Sequence, residues 1–119
     1  MKKIVIVEDE RIIADDLQLT FKSWGYNNVV IVSSAEDLLE HLDNIKPDLI
    51  LMDIMLQGKM NGIEAVHIIN KKKPIPVIYI TAYTNKATID KAIETNPLGY
   101  LIKPFEEYRL KEIVEAAFK

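Results

Sequence analysis

The sequence predicts an α/β protein with a doubly wound parallel sheet of five strands and helices on both faces. Five short apolar runs, several of them rich in β-branched residues, recur along the chain. Each is followed by a segment whose apolar residues recur at helical spacing. Strict alternation of this kind requires right-handed crossovers between parallel strands. The composition agrees, because 49% hydrophobic and 28% charged residues among 119 are typical of a globular domain.

The predicted strands are the most sharply marked elements. Each is a short apolar run bounded by turn formers or charged residues, which is typical of strands buried on both faces. The third run ends abruptly in the carboxylate of Asp53, and an aspartate is rarely buried without a partner. The five strands are predicted at Ile4–Val7, Asn28–Val32, Leu49 to Asp53, Val77 to Thr81 and Tyr100–Ile102.

The first two helices are predicted from their apolar faces and from their end signals. Gly25 ends the first helix. A capping-box pattern, Ser33 followed by Glu36, opens the second helix, and the segment 44–47 closes it. The predicted buried residues are Ile13, Leu17, Phe21 and Trp24 in the first helix, and Ala35, Leu38, Leu39 and Leu42 in the second.

The last three helices follow the third, fourth and fifth strands. Asn70 is a suitable end for the third helix, and three lysines and Pro74 lie beyond it. The fourth helix is predicted over residues 85–95. The predicted buried residues are Ile63, Val66 and Ile69 in the third helix, Ala87, Ala92 and Ile93 in the fourth, and Phe105, Leu110, Ile113, Val114 and Ala117 in the fifth.

Composition and charge exclude several classes of function. A net charge of −3 gives no basic footprint for nucleic acid and no cationic face for a membrane. The chain has no cysteine, which excludes disulfides and thiolate metal sites. The apolar run after Lys3 is too short for a signal peptide. We therefore expect a cytoplasmic protein with one domain over residues 1–119, no output domain in this chain, and neither a membrane nor nucleic acid as a direct partner.

Charged and hydroxyl side chains follow four of the predicted strands. They are Glu8 and Asp9 after the first, Asp53 after the third, Thr81 after the fourth and Lys103 after the fifth. Parallel strands end along one edge of the sheet, where open α/β sheets bind ligands. Two carboxylates about 4 Å apart repel by roughly 4 kcal/mol at an effective dielectric constant of about 20. One lysine cannot offset three carboxylates, so the pattern predicts a hard divalent cation such as Mg²⁺.

A cation beside a lysine and a hydroxyl suits a phosphoryl group. The four glycines, at positions 25, 58, 62 and 99, lack the spacing of a phosphate-binding loop, so a nucleotide site is not expected. A carboxylate that itself receives the phosphoryl group is the interpretation that remains. A flavodoxin-like module that binds a flavin or another small ligand is the alternative on the same fold, although the carboxylate cluster would repel a flavin phosphate.

Four motifs resemble the response-regulator receiver domain of two-component signal transduction, and the resemblance covers essentially the whole chain. They are Val7-Glu8-Asp9, Leu51-Met52-Asp53, Ile80-Thr81-Ala82 and the segment 100–104. The resemblance implies a flavodoxin-like (βα)5 fold with strand order 2-1-3-4-5. It also implies a signalling switch that catalyses only its own phosphorylation and dephosphorylation. Its partners would be a sensor histidine kinase or phosphotransfer protein and a downstream effector protein.

The resemblance assigns the acidic residues to phosphoryl transfer and metal binding. Asp53 would be the phosphoacceptor that attacks a phosphohistidine. Mg²⁺, or Mn²⁺ in its place, would be bound by Asp9, Asp53 and the backbone carbonyl of Met55, and by Glu8 through water. A degenerate receiver that acts only through protein contacts is a third interpretation, against which the complete set of site residues argues.

The resemblance assigns the remaining site residues to the phosphoryl group and the switch. Lys103 would pair with the phosphoacceptor and then with the phosphoryl oxygens, to which Thr81 donates its hydroxyl and Ala82 its backbone N–H. Tyr100 would turn inward when Thr81 moves toward the phosphoryl group, changing the face of the fourth helix. The peptide bond Lys103–Pro104 would be cis.

Two features depart from the family pattern. Gln57 stands where many members carry proline, and the loop from Asp53 to Asn61 is one residue longer. The positions two residues beyond Asp53 and Thr81 hold the large side chains of Met55 and Tyr83. We hypothesise that these two side chains screen an acyl phosphate from water and so lengthen its lifetime.

Overall fold

The computed structural model describes residues 1–119, which form one parallel sheet flanked by five helices. The strand order is β2-β1-β3-β4-β5, so the predicted fold class and strand order are confirmed. None of the helices has the length and apolar character that crossing a bilayer requires. The elements in chain order are β1 Ile4–Val7, α1 Arg11–Ser23, β2 Val29–Val32, α2 Ala35–Ile45, β3 Leu49–Met52, α3 Gly62–Lys72, β4 Val77–Thr81, α4 Lys86–Ile93, β5 Gly99–Ile102 and α5 Glu107–Ala117.

The sheet separates two apolar cores. Because side chains alternate along a strand, Val5 and Val7 of β1 belong to one core, whereas Ile4 and Ile6 belong to the other. Helices α2, α3 and α4 cover the first core, and α1 and α5 cover the second. The central strands are therefore buried on both faces, and polar or charged side chains lie at or directly after their carboxyl ends.

The cap of α2 differs from the prediction by one residue. Ser34, not Ser33, is the N-cap, and its Oγ accepts a hydrogen bond from the backbone N–H of Asp37 at 3.0 Å. The side chain of Glu36 therefore does not take part in a capping box at the start of α2. A complete capping box lies instead at α3, between Asn61 and Glu64, where the sequence analysis had not placed one.

Helix α4 is shorter and less buried than predicted. It spans eight residues, and Ala92 is its one buried residue. The predicted burial of Ala87 and Ile93 is wrong, since Ala87 is exposed and Ile93 is 52% exposed. Periodicity alone cannot separate a short exposed apolar helix from a packed one. In contrast, Ile63, Val66 and Ile69 of α3 are buried as predicted.

The start of α3 lies directly against the end of β3. A Cβ atom added to Gly62 would lie 2.2 Å from the backbone carbonyl oxygen of Asp53. The backbone N–H of Gly62 also donates to the carbonyl of Ile54 at 3.0 Å. A glycine at this position therefore allows the helix to begin beside the residue that follows β3.

Candidate functional site

The predicted site residues meet at the carboxyl edge of the sheet. One open cavity is lined by Asp9, Asp53, Thr81 and Lys103, which follow or end four different elements of the sheet. Met55 and Ala82, whose backbone groups the resemblance assigned to the site, line the same cavity, together with Glu10, Ile13, Gln57 and Tyr83. Glu8 lies behind it, 3% exposed. The structure thus brings these side chains together at one edge of the sheet.

Lys103 joins two carboxylates. Its Nζ donates to Oε1 of Glu8 at 2.6 Å and to Oδ2 of Asp53 at 3.2 Å. The sequence analysis paired Lys103 with Asp53, and the structure adds the shorter bond to Glu8. Burial by itself would lower the pKa of Lys103, but the hydrogen bond that it donates to Glu8 and the charge of Asp53 outweigh burial, and the pKa is raised. The ammonium group is thus held firmly in its charged form.

Glu8 is the most buried acid of the site. Its pKa is raised mainly by burial and further by the negative charge of Asp53, while the hydrogen bond from Lys103 opposes the shift. Its second oxygen, Oε2, accepts the backbone N–H of Glu10 at 3.2 Å. Both carboxylate oxygens are therefore engaged by groups of the chain itself.

Asp53 presents its carboxylate from the first position after β3. It is 7% exposed, and its backbone N–H is fixed to the carbonyl of Val7 at 3.1 Å. Oδ1 accepts the backbone N–H of Met55 at 3.3 Å, and Oδ2 accepts the ammonium group of Lys103. The carboxylate is oriented by two donors and still borders the cavity.

Three consecutive acids form an oxygen-only cluster beside Asp53. Glu8, Asp9 and Glu10 each offer a carboxylate oxygen, and these oxygens lie within 4.8 Å of one another. Hard cations such as Mg²⁺ take oxygen ligands, so the donor set suits such an ion. Glu10 was not predicted as a site residue. It is the N-cap residue of α1, but its side chain makes no capping bond, which leaves its carboxylate available.

The predicted switch residues lie on neighbouring strands, Thr81 at the end of β4, where it lines the cavity, and Tyr100 on β5. Thr81 is 1% exposed, and its Oγ1 lies 3.5 Å from the backbone nitrogen of Tyr83. The hydroxyl of Tyr100 donates to the backbone carbonyl of Tyr83 at 3.1 Å. Burial, and then the negative charge of Asp53, raises the pKa of Tyr100. Thr81 and Tyr100 are thus linked through one residue of the β4–α4 loop.

Two large side chains meet across the cavity mouth. The hydroxyl of Tyr83 donates to Sδ of Met55 at 3.4 Å. Met55 belongs to the loop after β3 and is 60% exposed, whereas Tyr83 follows β4 and is half-buried.

The peptide bond between Lys103 and Pro104 is cis, as the resemblance implied.

A doubly wound parallel sheet with carboxylates, a hydroxyl and a lysine on one edge defines the receiver class of α/β signalling proteins. The family model of the response regulator receiver domain matches residues 4–115. The chain therefore belongs to the response regulator receiver domain family of two-component systems.

The curated relatives are longer proteins. The transcriptional regulatory protein PdtaR of Mycobacterium tuberculosis is 29% identical over 116 residues, which cover 98% of this chain and 56% of PdtaR. The DNA-binding response regulator MtrA of Mycobacterium leprae is 28% identical over 118 residues, covering 99% of this chain and 52% of MtrA. The chain thus spans about half the length of these relatives. The name of MtrA conflicts with the expectation that nucleic acid is not a partner, which rested only on the charge of these 119 residues.

Solved structures share the fold closely. The signal receiver domain of a modulated diguanylate cyclase from Desulfovibrio desulfuricans superimposes with a TM-score of 0.89 at 32% identity, covering 98% of this chain and 93% of that one. The N-terminal domain of a response regulator/sensory box/GGDEF 3-domain protein from Carboxydothermus hydrogenoformans gives 0.87 at 36% identity, with coverage of 98% and 93%.

Proposed function

We propose that this chain is a phosphoacceptor switch that receives a phosphoryl group on Asp53. The observation that carries the proposal is the position of the Asp53 carboxylate, which borders an open cavity and lies 3.2 Å from the ammonium group of Lys103. The donor is a phosphohistidine on a sensor histidine kinase or phosphotransfer protein. The family membership of the chain supports this choice of donor.

The transfer is a displacement at phosphorus. A carboxylate oxygen of Asp53 forms a bond to phosphorus while the phosphorus–nitrogen bond of the phosphohistidine breaks, and the imidazole leaves with the bonding electrons. The product is an acyl phosphate. Lys103 offsets the added negative charge, while the Thr81 hydroxyl and the Ala82 backbone N–H bind phosphoryl oxygens.

The acids at this edge of the sheet would hold Mg²⁺, with Mn²⁺ as the alternative ion. When bound, the ion offsets negative charge on the phosphoryl oxygens. Asp9, Asp53 and the backbone carbonyl of Met55 would bind it directly. Glu8 would act through water, which agrees with the engagement of both its oxygens by Lys103 and the backbone of Glu10.

Phosphorylation would shift an existing equilibrium between two conformations. Thr81 would move toward the phosphoryl group, and Tyr83 and Tyr100 would follow because they are linked to it by hydrogen bonds. The exposed surface of α4 would then change and alter the affinity for a downstream effector protein.

The proposal is tested by phosphorylating the protein with acetyl phosphate, with and without Mg²⁺, and by adding beryllofluoride. We expect the mass of one phosphoryl group on the wild type only with Mg²⁺, and none on Asp53→Asn. Beryllofluoride should shift the amide resonances of Thr81, Tyr83 and Tyr100. Asp15→Asn is the matched control, because Asp15 is paired with Arg11 on the exposed surface of α1. Equal labelling of wild type and Asp53→Asn would refute the proposal.

A further inference from the structure

The loop after β3, residues 53–61, is attached to two other parts of the chain through carboxylates. Oδ2 of Asp9 accepts the backbone N–H of Gln57 at 3.1 Å. Oε2 of Glu36, on the first turn of α2, accepts the backbone N–H groups of Lys59 at 2.8 Å and Met60 at 3.1 Å. Hydrogen bonds to an ionised acceptor are stronger than neutral ones. The loop is thereby held at its middle and near its end.

Gly58 makes room for the Glu36 carboxylate. Its φ angle is 108°, and a Cβ atom at this position would lie 2.7 Å from Oε1 of Glu36. The pKa of Glu36 is lowered, first by its own backbone N–H and then by the N–H of Lys59, with a further contribution from Met60. The loop backbone thus bonds to the ionised carboxylate although the side chain is exposed.

We propose that Glu36 is a positioning residue for the metal ion, acting through the backbone of this loop. The inference rests on the proposed function, because the backbone carbonyl of Met55, in the same loop, is one of the proposed ligands. Glu36 itself bonds only to Lys59 and Met60 of the loop and does not line the cavity. It restrains a loop that carries Gly58 at a positive φ angle, a position where the backbone is intrinsically permissive.

The restraint acts by preorganisation. A loop already ordered before the ion arrives does not have to lose conformational entropy on binding. Groups that orient metal ligands from outside the ligand set commonly change metal affinity by about tenfold or more when removed. Because Glu36 is exposed, we expect a smaller loss, about fivefold in the dissociation constant for Mg²⁺, when its carboxylate is deleted.

The test is a Mg²⁺ titration of the unphosphorylated Glu36→Ala variant, followed through the amide resonances of Met55 and Lys59. Glu40→Ala is the matched control, because Glu40 lies one turn further along α2, is exposed, and removes the same charge. We expect about fivefold weaker binding for Glu36→Ala and wild-type affinity for Glu40→Ala. Labelling of Glu36→Ala by acetyl phosphate should be low at limiting Mg²⁺ and recover at saturating Mg²⁺, which a defect in the chemical step would not do.

The possible failures are distinct. If the wild type does not bind Mg²⁺, the proposed metal site is wrong and the inference is lost with it. If the wild type binds Mg²⁺ and Glu36→Ala binds it equally well, only the positioning role is overturned. An equal loss in Glu36→Ala and Glu40→Ala would also overturn it, since the effect would then be one of net charge.

Discussion

Helices α3 and α4 pack on the same face of the sheet, over the same apolar core, yet they are anchored very differently. Helix α3 buries five residues, including Ile63 and Ile69, and begins with a complete capping box. Helix α4 buries only Ala92, and its cap is a single bond from the backbone N–H of Thr88 to the side chain of Asn85. The comparison indicates that the part of the site next to α3, with the proposed phosphoacceptor and metal ligands, is held rigidly. The part next to α4, with the proposed switch residues, is held loosely.

The few anchors of α4 lie at its far end. The buried Tyr79 hydroxyl is 2.9 Å from Oγ1 of Thr95, which itself donates to the carbonyl of Ala92 at 2.6 Å. The side-chain amide of Asn70, in α3, donates to the carbonyl of Thr95 at 3.2 Å. The end of α4 remote from the site is therefore tied to α3 and β4. Its first turns, next to Tyr83, are the part that can move at low free-energy cost.

The largest difference between the helices should appear when the same truncation is made in each. Ile69→Ala should lower the free energy of unfolding by about 3 kcal/mol, because it leaves a cavity in the core. Ile93→Ala should change it by less than about 0.5 kcal/mol, because Ile93 is half exposed. Urea unfolding of the two variants measures both values. Equal losses would show that α4 is packed as firmly as α3.

Tyr79→Phe should lower the free energy of unfolding by about 1 kcal/mol at pH 7, because it removes one buried hydrogen bond at the end of α4. Burial raises the pKa of Tyr79 to about 12, whereas the unfolded tyrosine ionises near pH 10. Between these values the unfolded state loses a proton that the folded state keeps, so wild-type stability falls as pH rises.

Phenylalanine lacks this titration, so the advantage of the wild type over Tyr79→Phe should shrink as the pH is raised from about 9 to about 11. Urea unfolding of both proteins at each pH gives the difference in their free energies of unfolding. The contributions of the lysines and the other tyrosines cancel in this difference. A constant difference across this range would contradict the assigned pKa of Tyr79.

Removal of the two asparagine caps should separate global from local stability. Asn61→Ala and Asn85→Ala each remove a cap worth about 1 kcal/mol to its own helix. For α3 this loss should appear in global unfolding. For α4 it should appear mainly as faster amide hydrogen exchange in residues 86–90, since this segment opens without unfolding the rest. Slower or unchanged exchange there would show that α4 does not open separately.

The smallest predicted effect concerns the contact between the two sides, Met55 with Tyr83. Tyr83→Ala should speed the hydrolysis of phosphorylated Asp53 by a few fold, about 1 kcal/mol in the barrier, because water would reach the acyl phosphate more easily. Loss of phosphoryl mass over time after removal of the phosphodonor measures the rate. An unchanged rate would rule out screening by Tyr83.

The elements that the sequence predicts best are those governed by local pattern. Apolar runs define the strands, and a polar residue at the end of each run marks the edge of a parallel sheet, which is why Asp53, Thr81 and Lys103 were found together. Burial on α4 was mispredicted because helical spacing does not show which apolar residues another element covers, and of the predicted residues only Ala92 is covered, whereas Ala87 and Ile93 are exposed. Glu36 was misassigned because its carboxylate bonds to backbone N–H groups more than twenty residues away, and backbone donors leave no sequence signal.

The close approach of Gly62 to the carbonyl oxygen of Asp53 limits how the proposed phosphoacceptor can respond to its ligand. The main chain at Asp53 lies between β1 and the first turn of α3, and its N–H is hydrogen-bonded to β1. Any displacement of that backbone would have to carry the whole α3 helix with it. Asp53 can therefore respond to a ligand only by rotation of its side chain. Larger rearrangements must begin on the other side of the cavity, in the segment that follows β4.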